Sequence, residues 1–296
     1  MTGRLSGSST LQSHHVRPGA PDGGPRAAPS LRCGSVTDVT EPDPDGLLRL
    51  DGRVAIVTGA SGGLGERFAR VLHAAGATVV GGARRVDRME ALAGELERFV
   101  PVACDVAIDD DLARLVAAAA EVAGGRIDVL VNNAGISDGP QPALDEDPAE
   151  FRRVVDVDLN ALFVLPQLVA RHRVPAGAGS IVNISSVHGL VAAAPNNQAA
   201  YVAAKAAVVG LTRELACQWA TTGVRVNAIA PGYFASELTE AMLEAESGRR
   251  WIERNTPMRR PGAMHELDGA LLFLAGDAST YVTGQVLAVD GGVTAR

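Results

Sequence analysis

From Leu47 onward, short apolar runs closed by glycine or polar turns alternate with stretches of helical periodicity, and few folds accommodate that alternation. Val54-Ala-Ile-Val-Thr58 is apolar or β-branched throughout, as a parallel strand covered on both faces must be. Helical spacing follows over Glu66–Ala75, then a strand over Ala77–Gly81 and a helix over Val86–Arg98. The pattern predicts further strands over Val100–Cys104, Ile127–Val131, Ser180–Ser185, Val224–Ala230 and Val286–Asp290. Helices are predicted from about Asp109, over about Pro148–His172, through Tyr201 to about Thr221, and near His265–Ala275. Strands joined by helical crossovers predict an α/β fold: a single Rossmann-like, doubly wound domain whose seven-stranded parallel sheet carries helices on both faces. Ligands of such sheets bind beyond the carboxyl ends of the strands, where the strand order reverses.

Two motifs fall at such ends. Thr58-Gly-Ala-Ser-Gly-Gly-Leu-Gly65 joins the first strand to the first helix. Gly59 permits a tight turn, Gly63 lets the backbone approach a pyrophosphate, and Gly65 allows the helix to pack closely on the strand. The helix start offers unpaired N–H groups and a positive dipole end to phosphates. A structural loop could look similar, but the placement between strand and helix favours a dinucleotide site. The second motif is Tyr201-x-x-x-Lys205, and Lys205 is the only lysine among 27 lysines and arginines. Helical spacing puts the two side chains on one face, one turn apart, where a cation can stabilise a tyrosinate. Arginine cannot replace a lysine there, because its guanidinium is planar, bulkier and permanently protonated.

With Asn132-Asn133-Ala134-Gly135, Ser185-Ser186 before Gly189, Pro231-Gly232 and Asp290-Gly291-Gly292, the chain from about Leu47 to its end resembles the short-chain dehydrogenase/reductase family. The likeness is to its Tyr-x-x-x-Lys type, near 3-oxoacyl-carrier-protein reductases and gluconate 5-dehydrogenase-like members. It implies an NAD(P)-dependent oxidoreductase that transfers a hydride between the nicotinamide and a ketone or secondary alcohol. Carried over, Tyr201 donates the proton to the carbonyl oxygen, Lys205 lowers its pKa and holds the nicotinamide ribose, and Ser186 polarises the substrate oxygen. Ser185 is then structural. The resemblance also implies cofactor contacts at Gly59, Ser61, Gly63, Leu64 and Gly65 in the glycine turn. Arg84, Asp105 and Val106 follow after the second and third strands, and Asn132, Ala134 and Gly135 after the fourth. Tyr201, Lys205, Pro231, Gly232 and Phe234 complete the set.

One position departs from the family. Val154-Val-Asp-Val-Asp-Leu-Asn160 resembles a stretch whose fifth residue is usually an asparagine of the active site, and here it is Asp158. A carboxylate cannot donate as an amide does, so Asp158 is not counted among the catalytic residues. Cofactor choice is read just past the second strand, where an acid would bind a ribose 2′-hydroxyl. Ala83 takes that place and Arg84-Arg85 follow, which favours NADP(H) over NAD(H), although Gly62 lacks the basic side chain of some NADP-using members. Asp105 corresponds to an adenine contact. His188, two residues after Ser186, either borders the substrate or is an ordinary loop residue.

The formal charge of −7, with arginines scattered among more numerous acids, argues against a nucleic-acid partner. No apolar run approaches the roughly 20 residues of a spanning helix. Cys33, Cys104 and Cys217 lack metal or disulfide spacing, which fits a reducing, cytoplasmic setting, and no metal site is expected. Residues 1–46 are rich in Gly, Pro, Ser and Arg without periodicity and read as a disordered extension, leaving 47–296 as the catalytic domain. Residues 233–262 mix apolar Phe234, Leu238, Met242 and Trp251 with Glu237, Arg249, Arg250 and Arg254, and read as a substrate lid. Surplus apolar residues on two helices, among them Leu159, Leu162, Phe163, Leu168, Val209 and Leu211, predict a homo-oligomer, a dimer or tetramer. The expected partner is a small carbonyl or alcohol: a 3-oxoacyl thioester, a sugar acid or a small cyclic ketone. A catalytically inactive dinucleotide-binding protein on the same fold is the rival, and the intact Ser186, Tyr201 and Lys205 argue against it.

Overall fold

Strand β1 (Val54–Thr58) is buried at all five positions, which explains its unbroken apolar character. In the computed structural model it sits between β2 (Thr78–Ala83) and β4 (Val129–Asn132), hydrogen-bonded in parallel to both. The structure describes residues 43–122, 124–173, 177–237 and 239–296. With β3 (Phe99–Ala103), β5 (Gly179–Ile184), β6 (Val224–Pro231) and β7 (Val286–Val289) the sheet has seven strands, every pair parallel, in the order β3-β2-β1-β4-β5-β6-β7. The order turns back between β1 and β4.

Because side chains alternate along a strand, the sheet divides its apolar residues between two cores. Ala55, Val57, Val79 and Ile184 face α1 (Gly63–Ala74), α2 (Val86–Glu95) and α9 (Asp268–Ala275), meeting Phe68, Leu72, Met89, Leu271 and Leu274. Val54, Ile56, Val80 and Ile181 face the other way, toward Leu112, Leu115, Leu165 and Leu215 of α3 (Asp109–Val122), α5 (Ala161–Arg173) and α6 (Ala199–Trp219).

The helix predicted over Pro148–His172 is not continuous. It runs as α4 (Pro148–Val155), widens into a π-type turn over Asp156–Asn160, and resumes as α5. Ala161 N–H bonds the carbonyl of Asp156, five residues back, and the extra residue in that turn changes which side chains face inward. Asp158 is fully buried, whereas Asn160 points outward and donates to Asp156. The helical spacing of 3.6 assumed for the sequence could not register this inserted residue.

The folded unit begins earlier than position 47. Residues 1–42 of the expected extension lie outside the described residues, but Pro44–Gly46 form a 3₁₀ turn. The carbonyl of Leu47 then accepts from Asp277 and Ala278 N–H. Toward the other end, α7 (Glu240–Glu244) and α8 (Glu246–Asn255) lie within the expected lid; its Leu238 is outside the described residues. A bridge between Phe234 and Gly262 ties the two ends of that segment together.

Candidate active site

A cleft of about 550 Å³ opens at the carboxyl ends of β1 and β4, where the strand order turns back. Its floor at one end is the glycine turn. Gly59 and Gly63 hold φ of +70° and +54°, a region that favours glycine, and little stands above Gly63 within van der Waals reach. Gly65 lies behind the turn, where a β-carbon would collide with the Gly59 carbonyl, so its role is the close helix–strand approach. The turn is pinned from β4: Thr58 Oγ1 accepts from Asn133 and Ala134 N–H, at 3.0 Å each. Asn133 Nδ2 donates to the Thr58 carbonyl.

Ser61, Leu64, Arg84, Asp105, Val106, Ala134, Gly135, Pro231, Gly232 and Phe234 all line the cleft with Ser186, Tyr201 and Lys205. Asn132 does not. It is buried, and its amide donates to Asn183 Oδ1 at 2.9 Å, while Asn183 donates on to Thr212 of α6. Its side chain therefore joins β4 to β5 and stands outside the lining of the cleft. His188 is likewise outside the cleft lining, buried with Nε2 3.3 Å from the Tyr233 hydroxyl. Burial holds its imidazole below the usual histidine range and pushes the Tyr233 phenol up to about 12. This pair, with Trp251 edge-on to Tyr233, forms the packed base of the segment leading to α7 and α8.

Tyr201 and Lys205 share one face of α6, with Nζ 5.5 Å from the tyrosine ring centre. The start of that helix is fixed from outside: Asp138 Oδ1 accepts from Tyr201 N–H, and Gln198 Nε2 donates to Ser137 Oγ and the Asp138 carbonyl. Glu146 beside it is held above the ordinary carboxylate range, first by burial and then by Asp138. Ser185 Oγ donates to the carbonyl of Lys205 at 2.9 Å, the structural role expected of it. Ser186 Oγ accepts from His188 N–H at 3.1 Å, which leaves its own hydrogen free for a ligand oxygen.

The Lys205 ammonium is buried, with one hydrogen bond and one ion pair. Nζ donates to the Ile184 carbonyl at 3.2 Å and lies 3.0 Å from Asp158 Oδ2, while Asp158 Oδ1 accepts from Ile136 N–H. Burial disfavours the charge, and Asp158 together with Tyr201 more than offsets it, so Lys205 is held above the ordinary lysine range. Asp158, set aside on sequence grounds, thus belongs to the site. The π-type turn that delivers it was the feature the sequence did not show.

At the far end, Arg85 rather than Arg84 makes the directed contacts. Its Nε donates to Ser61 Oγ at 3.2 Å and its Nη1 to both oxygens of Glu237, at 3.0 and 2.9 Å. Arg88 adds a third bond to Glu237 at 2.7 Å. Arg84 lines the cleft beside them. No sequence periodicity relates Glu237 to these arginines, which lie some 150 positions earlier. A long cleft with a glycine-floored helix start at one end, cations beside it and an acid–base cluster at the other fits an extended dinucleotide.

A family model described as enoyl-(acyl carrier protein) reductase matches residues 59–294. The chain is 41% identical to galactitol 2-dehydrogenase (L-tagatose-forming) of Cereibacter sphaeroides, covering 84% of this chain and 97% of that one. The chain belongs to the short-chain dehydrogenase/reductase family. This dehydrogenase/reductase is also 40% identical to gluconate 5-dehydrogenase of Gluconobacter oxydans, over 85% of this chain and 98% of the relative. A solved gluconate 5-dehydrogenase from Burkholderia cenocepacia, in complex with NADP and tartrate, superimposes with a TM-score of 0.80 at 37% identity, over 85% and 98% of the two chains. The protein is an NAD(P)-dependent oxidoreductase acting between ketones and secondary alcohols. Among the described residues no helix is long and apolar enough to cross a membrane, and no group of three or more His, Cys, Asp or Glu could hold a metal ion.

Proposed function

We propose that this dehydrogenase/reductase uses NADP(H) to interconvert a small polyhydroxylated or hydroxy-acid secondary alcohol and its ketone. The observation that carries the reading is the meeting of Ser186, Tyr201 and Lys205 in one cleft whose opposite end is lined by Arg84 and Arg85. The bound nicotinamide supplies or accepts the hydride. Tyr201 gives its phenolic proton to the carbonyl oxygen during reduction and takes it back during oxidation. Lys205, kept cationic by Asp158, stabilises the phenolate that remains, and Ser186 donates its free hydrogen to the same substrate oxygen.

Two features favour NADP(H). Ala83, at the end of β2, offers no carboxylate to a ribose 2′-hydroxyl, and Arg84 with Arg85 offers cations to a 2′-phosphate. NADP is bound in the solved gluconate 5-dehydrogenase named above. The substrate class rests on polar groups near the reacting end, where Ser137 and Arg153 line the cleft. Relatives named for galactitol and gluconate point the same way, as does a 43% identical cis-4-hydroxycyclohexanecarboxylate dehydrogenase from Sinomonas cyclohexanicum. A cytoplasmic location is proposed with it, consistent with the unpaired Cys104 and Cys217.

Initial rates with galactitol, gluconate, 4-hydroxycyclohexanecarboxylate and a 3-oxoacyl thioester, each with both cofactors, test this reading. Turnover of one of the first three with NADP⁺ is expected. Activity confined to the thioester, or to NAD(H), would overturn it.

A further inference from the structure

Gly62, in the glycine turn, has no side chain, yet the space above it is filled. A β-carbon there would stand 3.0 Å from Arg85 Nη2, 3.0 Å from Glu237 Oε1 and 3.5 Å from Arg88 Nη1. Two arginines from the start of α2 and one carboxylate from the loop after β6 thus converge over the turn that meets the phosphates. Glu237 receives three hydrogen bonds there, two from Arg85 and one from Arg88, and its carboxyl is held below the usual range by Arg85, with Arg88 acting in the same sense against partial burial. Arg85 is tethered to Ser61 at the same time, which holds its exposed guanidinium at the wall of the cleft. The carboxylate is shared by one nitrogen of Arg85 and one of Arg88, donors that phosphate oxygens could equally accept from.

We propose that Glu237 is a cofactor-specificity residue of this chain: an internal anion that occupies Arg85 and Arg88 in the free enzyme and must yield them to the 2′-phosphate of the bound cofactor. The proposal rests on the NADP(H) reading above. A phosphate monoester carries nearly two charges and three acceptor oxygens, against one charge and two oxygens on Glu237, so it can displace the carboxylate. A cofactor with a plain 2′-hydroxyl cannot, and leaves the Arg85–Glu237 pair intact. Glu237 therefore lowers affinity for the phosphorylated cofactor without touching affinity for the other. It also offsets one of the two adjacent positive charges over the glycine turn while the site is free.

Equilibrium binding of NADPH and NADH, followed by nicotinamide fluorescence without substrate, tests the proposal in wild type, Glu237→Gln, Arg85→Ala and the double variant. Glu237 makes two exposed ion pairs, so Glu237→Gln should tighten NADPH by about two- to thirtyfold. NADH should change by less than about twofold, and in the Arg85→Ala background the Glu237→Gln effect on NADPH should vanish. Unchanged NADPH affinity in Glu237→Gln, or an equal change for both cofactors, would overturn the role of Glu237 while leaving the cofactor reading in place. Wild-type preference for NADH would overturn the cofactor reading itself, and with it this proposal.

Discussion

Asp158 Oδ2 lies 3.0 Å from Lys205 Nζ in a place without solvent, the carboxylate 0% and the lysine 3% exposed. The pair joins the π-type turn between α4 and α5 to the second turn of α6, and it favours the charged form of a buried lysine. Breaking a buried pair by removing one partner costs about 3–5 kcal/mol, since the other charge is left uncompensated. Asp158→Ala should destabilise by that order in chemical denaturation. Asp158→Asn, which keeps an acceptor for Ile136 N–H, should cost less.

The same pair has a pH signature. The folded-state pKa of Lys205 is raised above its ordinary value of 10.5, so the pair's stability is fully present below that value and is lost as pH rises through the folded-state pKa. The stability gap between wild type and Asp158→Asn should therefore be flat from neutral pH to about 10 and shrink above it. Melting temperatures across that range measure it; a gap that grows with pH would contradict the pairing.

Tyr201→Phe keeps the ring and removes the proton donor, and kcat should fall by about 10²–10⁴ with melting unchanged. Lys205→Arg should fare no better. Gly135 and Ile184 close around Nζ, a β-carbon on Gly135 being only 3.2 Å from it, and a guanidinium needs more room than that.

Gly189 packs against α6 at the level of the active lysine. A β-carbon there would stand 2.5 Å from the Lys205 carbonyl and 2.6 Å from Ser185 Oγ. Gly189→Ala must push α6 away or break the Ser185 bond to it, so kcat should drop about tenfold or more through misplacement of Tyr201. Steady-state rates alongside circular dichroism would separate this from simple unfolding.

Deleting residues 1–42 should leave melting temperature and turnover as they are, because that sequence has no apolar face to bury. Extending the deletion through Leu50 should lower both. Leu50 is fully buried in the core beside α1, and the Leu47 carbonyl holds the turn at Asp277 and Ala278. Equal melting of the two truncations would show that this anchor is dispensable.

Most of the apolar surplus expected to drive assembly is covered within the chain: Val154, Leu162, Leu165, Val208, Val209 and Leu215 are buried. What remains outward is Phe163, 46% exposed, with Phe151 of α4 and the half-buried Leu159, Leu168, Leu211 and Trp219. A homodimer through α4, α5 and α6 would bury these, and light scattering at micromolar concentration should give at least a dimer mass. A monomer mass, or no effect of Phe163→Glu on the assembly, would count against this face.

The sequence by itself determined the seven parallel strands, the glycine turn and the Tyr201–Lys205 pair. Each rests on interactions local to a few residues: strand burial, a tight turn, or two side chains one helical turn apart. Its strand boundaries hold to within about two residues for the same reason. Only the tertiary structure decided that Asn132 ties two strands together, that Asp158 joins Lys205, and that Glu237 meets Arg85. These contacts link positions 51, 47 and 152 residues apart, and their partners are chosen by how the strands order and how one inserted helical residue rotates a side chain inward. A one-dimensional pattern carries the period of an element, not what packs across from it.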